Sequence, residues 1–383
     1  MATFSWRVCA GLLCAATLWA QVAPPPEALS RARDLVIAGK PEQAAAIYQE
    51  LVRKFPNHPG LRVDLCVAQY KAGRYKDSAE EAKAALKLRP KLPAANLFLG
   101  ASYLQLGEFA SAIPPLQKAL AEQPADRNAR LALAEALSGA RRYEEAAEQF
   151  QRLAEIIPDN PRVWYGLGQC YEKLSEQTNG QSEHYRELAR QAYNRLEQLP
   201  RSPEMYIHAA ELREKNSEWV EAATQWREAL ALEPHDERAR AGLAWALFRA
   251  RDYASALEVI AEMRKDGIDS AVLNFLTGGC WLNLQQPEKS IPYLEKAIAA
   301  DSGFLPAKAA LGQALLQTGK AREAIPLLRA ALSADDDGTI HFQLYRAYAM
   351  AGEAGAAKQA LSDYEEFKKG PSQASTVSGG PYR

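Results

Sequence analysis

Five histidines, a few cysteines and scattered acidic residues are the side chains here that could do chemistry, and their spacing decides which chemistry. His58, His184, His208, His235 and His341 stand singly, with no second histidine or cysteine at the separation a zinc site needs. His58 and His235 lie beside prolines in turns and read as solvated. Gly319-Lys320 lacks the upstream glycine of a phosphate-cradling loop, and no serine sits in a nucleophile elbow. Glu144, Glu145 and Glu148 fall on the outer face of an expected helix, where carboxylates are hydrated rather than poised for proton transfer. Asp335, Asp336 and Asp337 form the densest run of one charge. They read as residues preceding a helix, whose N-terminal dipole favours negative charge, rather than as metal ligands. The reading is a non-enzymatic protein with no cofactor, no metal and no small-molecule substrate.

Net charge points the same way. The 46 basic residues against 47 acidic ones leave a formal charge of −1, with no basic stripe for nucleic acid or for an anionic membrane. The N-terminus differs in kind: Arg7 precedes an apolar run, Val8 to Ala20, that is too short for a bilayer span of about 20 residues. A charge, a short apolar run and a small residue at Ala20 read as a secretory signal over residues 1–20, cut before Gln21. An uncleaved anchor is the alternative, and the only route to membrane contact. Export to the periplasm or cell envelope is the expectation if the source is bacterial.

The elements that must position any working residue announce themselves by a period. Between Pro93 and Pro124, Leu99, Tyr103 and Leu106 recur at helical spacing, Gly107 ends that helix, and Ala112, Leu116, Ala119 and Leu120 mark a second helix. Gly100 and Ala112 leave room for the two helices to cross closely. Such a hairpin cannot bury its apolar faces alone and needs neighbours of its kind. Terminating prolines at 56, 90, 124, 158, 200 and 234 recur at spacings of 34, 34, 34, 42 and 34. A small residue gives an independent register: Ala44, Ser78, Ala112, Ala146, Ala189, Ala222, Ala256, Ser290, Ala324 and Ala357. Two markers with one period define a repeat array. Pro114, Pro292 and Pro326 each follow the small marker by two residues, predicting a tight start or a kink in the second helix. Cys66, Cys170 and Cys280 lie about three repeats apart in apolar stretches, too distant to pair, and read as small core residues.

Trp164, Leu167, Gly168 and Tyr171, with Leu99, Gly100 and Tyr103, and Leu311 and Gly312, resemble the first helix of the tetratricopeptide repeat. Ala146 and Phe150, and the run of Ala112, Leu116, Ala119 and Pro124, resemble its second helix. The resemblance covers roughly residues 25–367 and implies an all-α, superhelical solenoid of about ten helix-turn-helix repeats. After a proline-rich lead-in (21–24), the units are 25–58, 59–92, 93–126, 127–160, 161–202, 203–236, 237–270, 271–304, 305–337 and 338–369. The last of these is a C-terminal cap, and the aperiodic 370–383 read as a disordered tail. The fifth unit carries extra polar residues (Ser175–Ser182), either a neutral insertion or part of a working face.

A second apolar stripe calls for explanation, because a surface helix needs only one. Leu97, Ala101 and Leu104 form it in the third unit; Val63, Val67 and Tyr70 in the second; Trp245, Phe248, Phe275 and Leu282 in the seventh and eighth. In the middle units the places hold Glu135, Gln169, Glu172, Glu211 and Glu214, with Lys173 and Lys215 nearby. The resemblance implies that this stripe lines a concave inner wall where a partner peptide sits; cover by neighbouring helices and self-association are the alternatives. The family's Lys/Asn clamp for acidic C-terminal tails does not occur at these positions. The expected function is an envelope scaffold or adaptor that holds a polypeptide. The alternative is a glycan- or lipid-binding accessory protein of a polysaccharide export or assembly system.

Overall fold

The computed structural model describes residues 24–177 and 182–369. The expected signal (1–20), lead-in residues 21–23, insertion residues 178–181 and the expected tail (370–383) lie outside them. The described residues form twenty α-helices and one 3-10 turn, with no strand. Two compact units divide the chain. The first holds what is described up to Pro158 together with Gly166–Ala189; the second holds Asp159–Tyr165 and what is described from Arg190 onward.

In the first unit each helix folds back on the next: α1 (Pro26–Ile37) on α2 (Pro41–Lys54), α3 (Pro59–Lys71) on α4 (Tyr75–Leu88), α5 (Pro93–Gln105) on α6 (Phe109–Glu122), and α7 (Arg127–Gly139) on α8 (Tyr143–Ile156). Helices α9 (Pro161–Gln177) and α10 (Ser182–Glu197) contribute to both units. The second continues with α11 (Pro203–Lys215) and α12 (Trp219–Leu232), α13 (Glu237–Arg249) and α14 (Tyr253–Lys265), and α15 (Ala271–Asn283) and α16 (Pro287–Ala300). It ends with α17 (Leu305–Gln317) and α18 (Ala321–Ala331), the 3-10 turn Leu332–Ala334, and α19 (Thr339–Ala351) with α20 (Ala354–Lys369).

Within a hairpin the helices cross where side chains are missing. A Cβ on Gly100 would come 3.1 Å from the Ala112 carbonyl oxygen and run into Leu116. Gly278 stands in the same relation to Ser290 and Leu294, and Gly312 to Leu328. The small marker residues are enclosed, Ala44, Ser78, Ala112, Ala146, Ala222, Ala256, Ser290 and Ala324 all at 0% exposure. Where the marker is serine, its hydroxyl donates to the carbonyl of the facing helix, Ser78 Oγ to Cys66 O at 3.0 Å and Ser290 Oγ to Gly278 O at 2.7 Å. The hydroxyl is thus buried without a desolvation penalty. Cys66, Cys170 and Cys280 are free and buried, their thiols pushed up to about 12 by burial.

Two further glycines serve the contact between successive repeats. Phe150 on α8 lies against Gly166, and Trp226 on α12 against Gly242 on α13. Trp226 is 1% exposed, and its Nε1–H donates to Glu214 Oε1 at 2.8 Å. A large ring in the second helix is therefore matched by a vacancy in the first helix that follows.

The hairpin turn keeps one geometry regardless of residue type. Gly39, Gly73, Gly107, Gly319 and Gly352 take positive φ there, but so do Arg141, Ser217, Arg251 and Gln285, with φ between 59° and 64°. After α5, Gly107 N–H bonds Leu104 O and Glu108 N–H bonds Tyr103 O; after α7, Arg141 and Arg142 make the matching bonds to Ser138 and Leu137. The left-handed residue is required by the helix-to-helix geometry, and a non-glycine residue adopts it at a cost of about 1–2 kcal/mol. The second helices do not start at the interior prolines: α6 begins at Phe109 and runs through Pro114 and Pro115, and α16 and α18 likewise run through Pro292 and Pro326.

The acidic run before α19 caps that helix. Asp335 Oδ1 accepts from Gly338 N–H at 3.0 Å, its Oδ2 accepts from His341 N–H at 2.9 Å and meets His341 Nδ1 at 2.6 Å, and Asp337 accepts from Thr339 N–H at 2.8 Å. Burial pushes Asp335 up, but the bonds from His341 and Ile340 outweigh it and hold the carboxyl below its ordinary value.

Two outcomes follow from this packing. Gly242→Ala should lower the unfolding free energy by about 1–3 kcal/mol in urea titration, and by less in a Trp226→Leu background, because the clash is with the indole. Asp335 contributes stability above the ordinary carboxylate value of 3.8 that is lost as pH falls below it. The stability gap between wild type and Asp335→Asn should therefore hold steady from neutral pH down to about pH 5 and shrink as the pH falls through about 4 and below.

Candidate partner-binding surface

The first helices of the repeats carry the second apolar stripe, and the structure divides it into open and covered parts. In the first unit, Val63, Val67 and Tyr70 on α3 and Leu97 and Leu104 on α5 are half-buried, presenting apolar area without being enclosed. The Tyr70 ring meets Phe98 edge-on at 5.3 Å and Tyr75 at 5.4 Å, which fixes its orientation. Phe98, absent from the sequence-based set, is thus the support of one of its members.

Three residues of that set are corrections. Ala101 is 8% exposed, Trp245 8% and Leu282 4%. Trp245 is enclosed by Ile260 and Met263 of α14 and by Leu273 and Leu276 of α15. Leu282 packs in the core with Leu294, Leu311 and Leu315. Trp245 and Leu282 are thus covered by the second helix of their own hairpin and by the first helix of the next, cover that spacing along one helix does not reveal.

Phe248 and Phe275 are half-buried in a continuous aromatic row of the second unit. Trp245 and Phe248 are 6.0 Å apart, Phe248 and Phe275 6.2 Å, and Phe275 and Phe304 5.1 Å, with Tyr253 at 5.8 Å from Phe248. Phe304 escaped the sequence reading because it sits on the residue before α17 rather than inside a helical stripe. Arg249 closes the row, its guanidinium 4.1 Å from the Trp219 ring and 5.5 Å from that of Trp245. At the far end Phe342 is 41% exposed beside Tyr345 and Tyr364, another aromatic surface that the sequence reading did not single out.

The acidic residues of the middle units also differ from expectation. Glu135, Gln169, Glu172 and Lys173 are half-buried and Lys215 is exposed, but Glu211 and Glu214 are buried and engaged within the protein. Glu211 Oε1 accepts from Tyr165 Oη at 3.1 Å and from Arg238 Nη2 at 2.5 Å, while the guanidinium lies 5.2 Å from the Tyr165 ring. Burial pulls Arg238 down, yet Tyr165 and Glu211 more than offset it and hold the guanidinium in its charged form. Those carboxylates satisfy Trp226, Tyr165 and Arg238 instead of facing a ligand.

The histidines remain apart. His58 Nδ1 accepts from Leu61 N–H at 3.1 Å at the start of α3, His208 stacks on Tyr193 at 3.7 Å, and His341 faces Asp335. Among the described residues no three of His, Cys, Asp and Glu are grouped to hold a metal ion, and no helix is long and apolar enough to cross a membrane.

Helical hairpins with a 34-residue period and a vacant helix crossing define a tetratricopeptide repeat protein. Two family profiles, each described as tetratricopeptide repeat, match the chain, one over 161–337 and the other over 35–100 and 103–170. The chain belongs to the tetratricopeptide repeat family, whose fold commonly mediates protein–protein interaction. Solved structures of similar fold include MamA, residues 41 to the end, from Desulfovibrio magneticus RS-1, at 23% identity and a TM-score of 0.41, covering 46% of this chain and 97% of that one. A tetratricopeptide repeat protein from Parabacteroides merdae ATCC 43184 is similar at 17% identity and a TM-score of 0.39, covering 76% of this chain and 98% of that one.

The division into open and covered residues has a direct readout in stability. Trp245→Ala should cost about 3–5 kcal/mol in chemical denaturation, as for a core aromatic, whereas Leu104→Ala should cost markedly less.

Proposed function

We propose that this protein is an exported scaffold or adaptor of the cell envelope that holds a partner polypeptide against the concave side formed by its first helices. The observation that carries the reading is the half-buried apolar stripe of Val63, Val67, Tyr70, Leu97 and Leu104, with Phe248 and Phe275 in the second unit. Apolar area of this kind, collected on successive helices and rimmed by polar residues, marks an interaction surface. Export is supported by Arg7 followed by the apolar run to Ala20. The protein acts by binding rather than by catalysis, since its acidic residues with defined partners cap helices, satisfy buried donors or form exposed ion pairs with neighbouring Lys and Arg.

A glycan partner is the weaker reading. Sugars stack on open ring faces, but Phe248 is met by Trp245, Tyr253 and Phe275, and Phe275 also by Phe304. A polypeptide side chain can pack against the half-buried edges of such rings, whereas a pyranose needs an open face.

The test is crosslinking mass spectrometry in the native cell, comparing wild type with Leu97→Ser/Leu104→Ser. Crosslinks to one envelope protein should fall at least about tenfold in the variant, with unchanged helical circular dichroism, as for loss of an interface anchor. Equal crosslinking would refute the surface. Mature protein whose intact mass starts at Met1, or fractionation with the cytoplasm, would refute export.

A further inference from the structure

The first unit has a cleft of about 420 Å³ at the N-terminal ends of α3 and α5, beside α1. That is the size of a small-ligand site, on the order of 300–1,000 Å³. Leu29, Leu61, Val63 and Leu92 give it an apolar lining, and Val63 makes it continuous with the surface proposed above for a partner. Its charged members are Asp64, Arg33 and His58.

These three are not equivalent. Arg33 and His58 are exposed, so water solvates them and a ligand gains little by pairing with them. Arg33 also lies beside the Tyr48 hydroxyl on α2, and His58 Nδ1 is occupied by the Leu61 N–H. Asp64 is half-buried, and among the described residues it receives no hydrogen bond and no ion pair. Burial pushes its carboxyl up, and the charges of Arg33 and His58 pull it only part of the way back. The cleft therefore holds a half-buried carboxylate beside an apolar lining, with no protein donor bonded to it among the described residues. A cation on an apolar stem would pair with it, because charge-assisted hydrogen bonds to a carboxylate are the strong ones.

We propose that the cleft receives a lysine side chain of the partner polypeptide, its methylenes along Leu29, Leu61 and Val63 and its ammonium on Asp64. This rests on the reading of the first-helix face as a polypeptide-binding surface. Lysine suits the site better than arginine, since a lone carboxylate beside apolar side chains matches a compact charge on a flexible stem rather than a planar fork.

The test uses the full chain and acetylated, amidated Ser-Leu-Xaa-Leu-Ser peptides with lysine, norleucine or glutamate at Xaa, read by fluorescence polarisation. Wild type should prefer lysine to norleucine by about tenfold, as expected for a charge-assisted hydrogen bond. Asp64→Asn should abolish the preference with its circular dichroism unchanged, and Arg33→Ala should keep it. Equal binding of lysine and norleucine peptides, or an undiminished preference in Asp64→Asn, overturns the lysine assignment while leaving the polypeptide surface intact. Stronger binding of the glutamate peptide, or of a peptide with a free N-terminal amine in place of lysine, overturns it as well. Binding of no peptide overturns both readings.

Discussion

Two helices pack at close range where one of them presents little or no side chain, and three of the described hairpins cross at a glycine. Gly100 against Ala112 and Leu116, Gly278 against Ser290 and Leu294, and Gly312 against Leu328 are three copies of one contact. The approach brings backbone near backbone, so that a hydroxyl at the marker position can reach the facing carbonyl, as Ser78 and Ser290 do. The hairpins present apolar faces that stay wet unless another hairpin covers them. The helix crossing sets the distance, the turn sets the angle, and stacking covers the faces that remain.

Departures from the average repeat are compensated locally. Trp226 is too large for the space that holds a leucine elsewhere, and both the missing side chain at Gly242 and the carboxylate of Glu214 answer it, one sterically and one by accepting the indole N–H. The junction of α14 and α15, where no proline ends the second helix, is held by polar bonds instead. Arg264 donates to Asn274 Oδ1 at 3.1 Å and Thr277 Oγ1 at 3.0 Å, and Asn274 donates to Asp269 at 2.7 Å. Buried polar bonds of this kind are costly unless all their members are satisfied, and so they favour one pairing of neighbours over others.

The same economy explains why so few charged side chains are left to act on a ligand. Glu211 and Glu214 sit at positions that face the inner wall in a sequence projection, yet both are drawn into the packing by aromatic partners. Asp335 is consumed in capping α19. What stays open on the first helices is apolar area and, in the first-unit cleft, the half-buried carboxylate of Asp64. That inventory suits recognition of an extended chain better than chemistry on a small molecule.

Most of the architecture was legible from residue spacing, because each repeat is a local unit whose periodic markers do local jobs. Gly107 and Gly100 were readable for what they do, since a left-handed turn and a close crossing both demand a residue with little or no side chain. Arg141, Ser217, Arg251 and Gln285 were not, since their φ of about 60° is imposed by the helices on either side rather than chosen by the residue. Gly166 and Gly242 were equally opaque: their vacancies match rings on the preceding hairpin, a relation between repeats that periodicity within a repeat cannot express. The candidate surface divides along the same line. Which residues share the second stripe follows from their spacing alone. That Val67 and Leu104 stay open while Trp245 and Leu282 are sealed follows from the packing, because cover comes from the next helices in the stack.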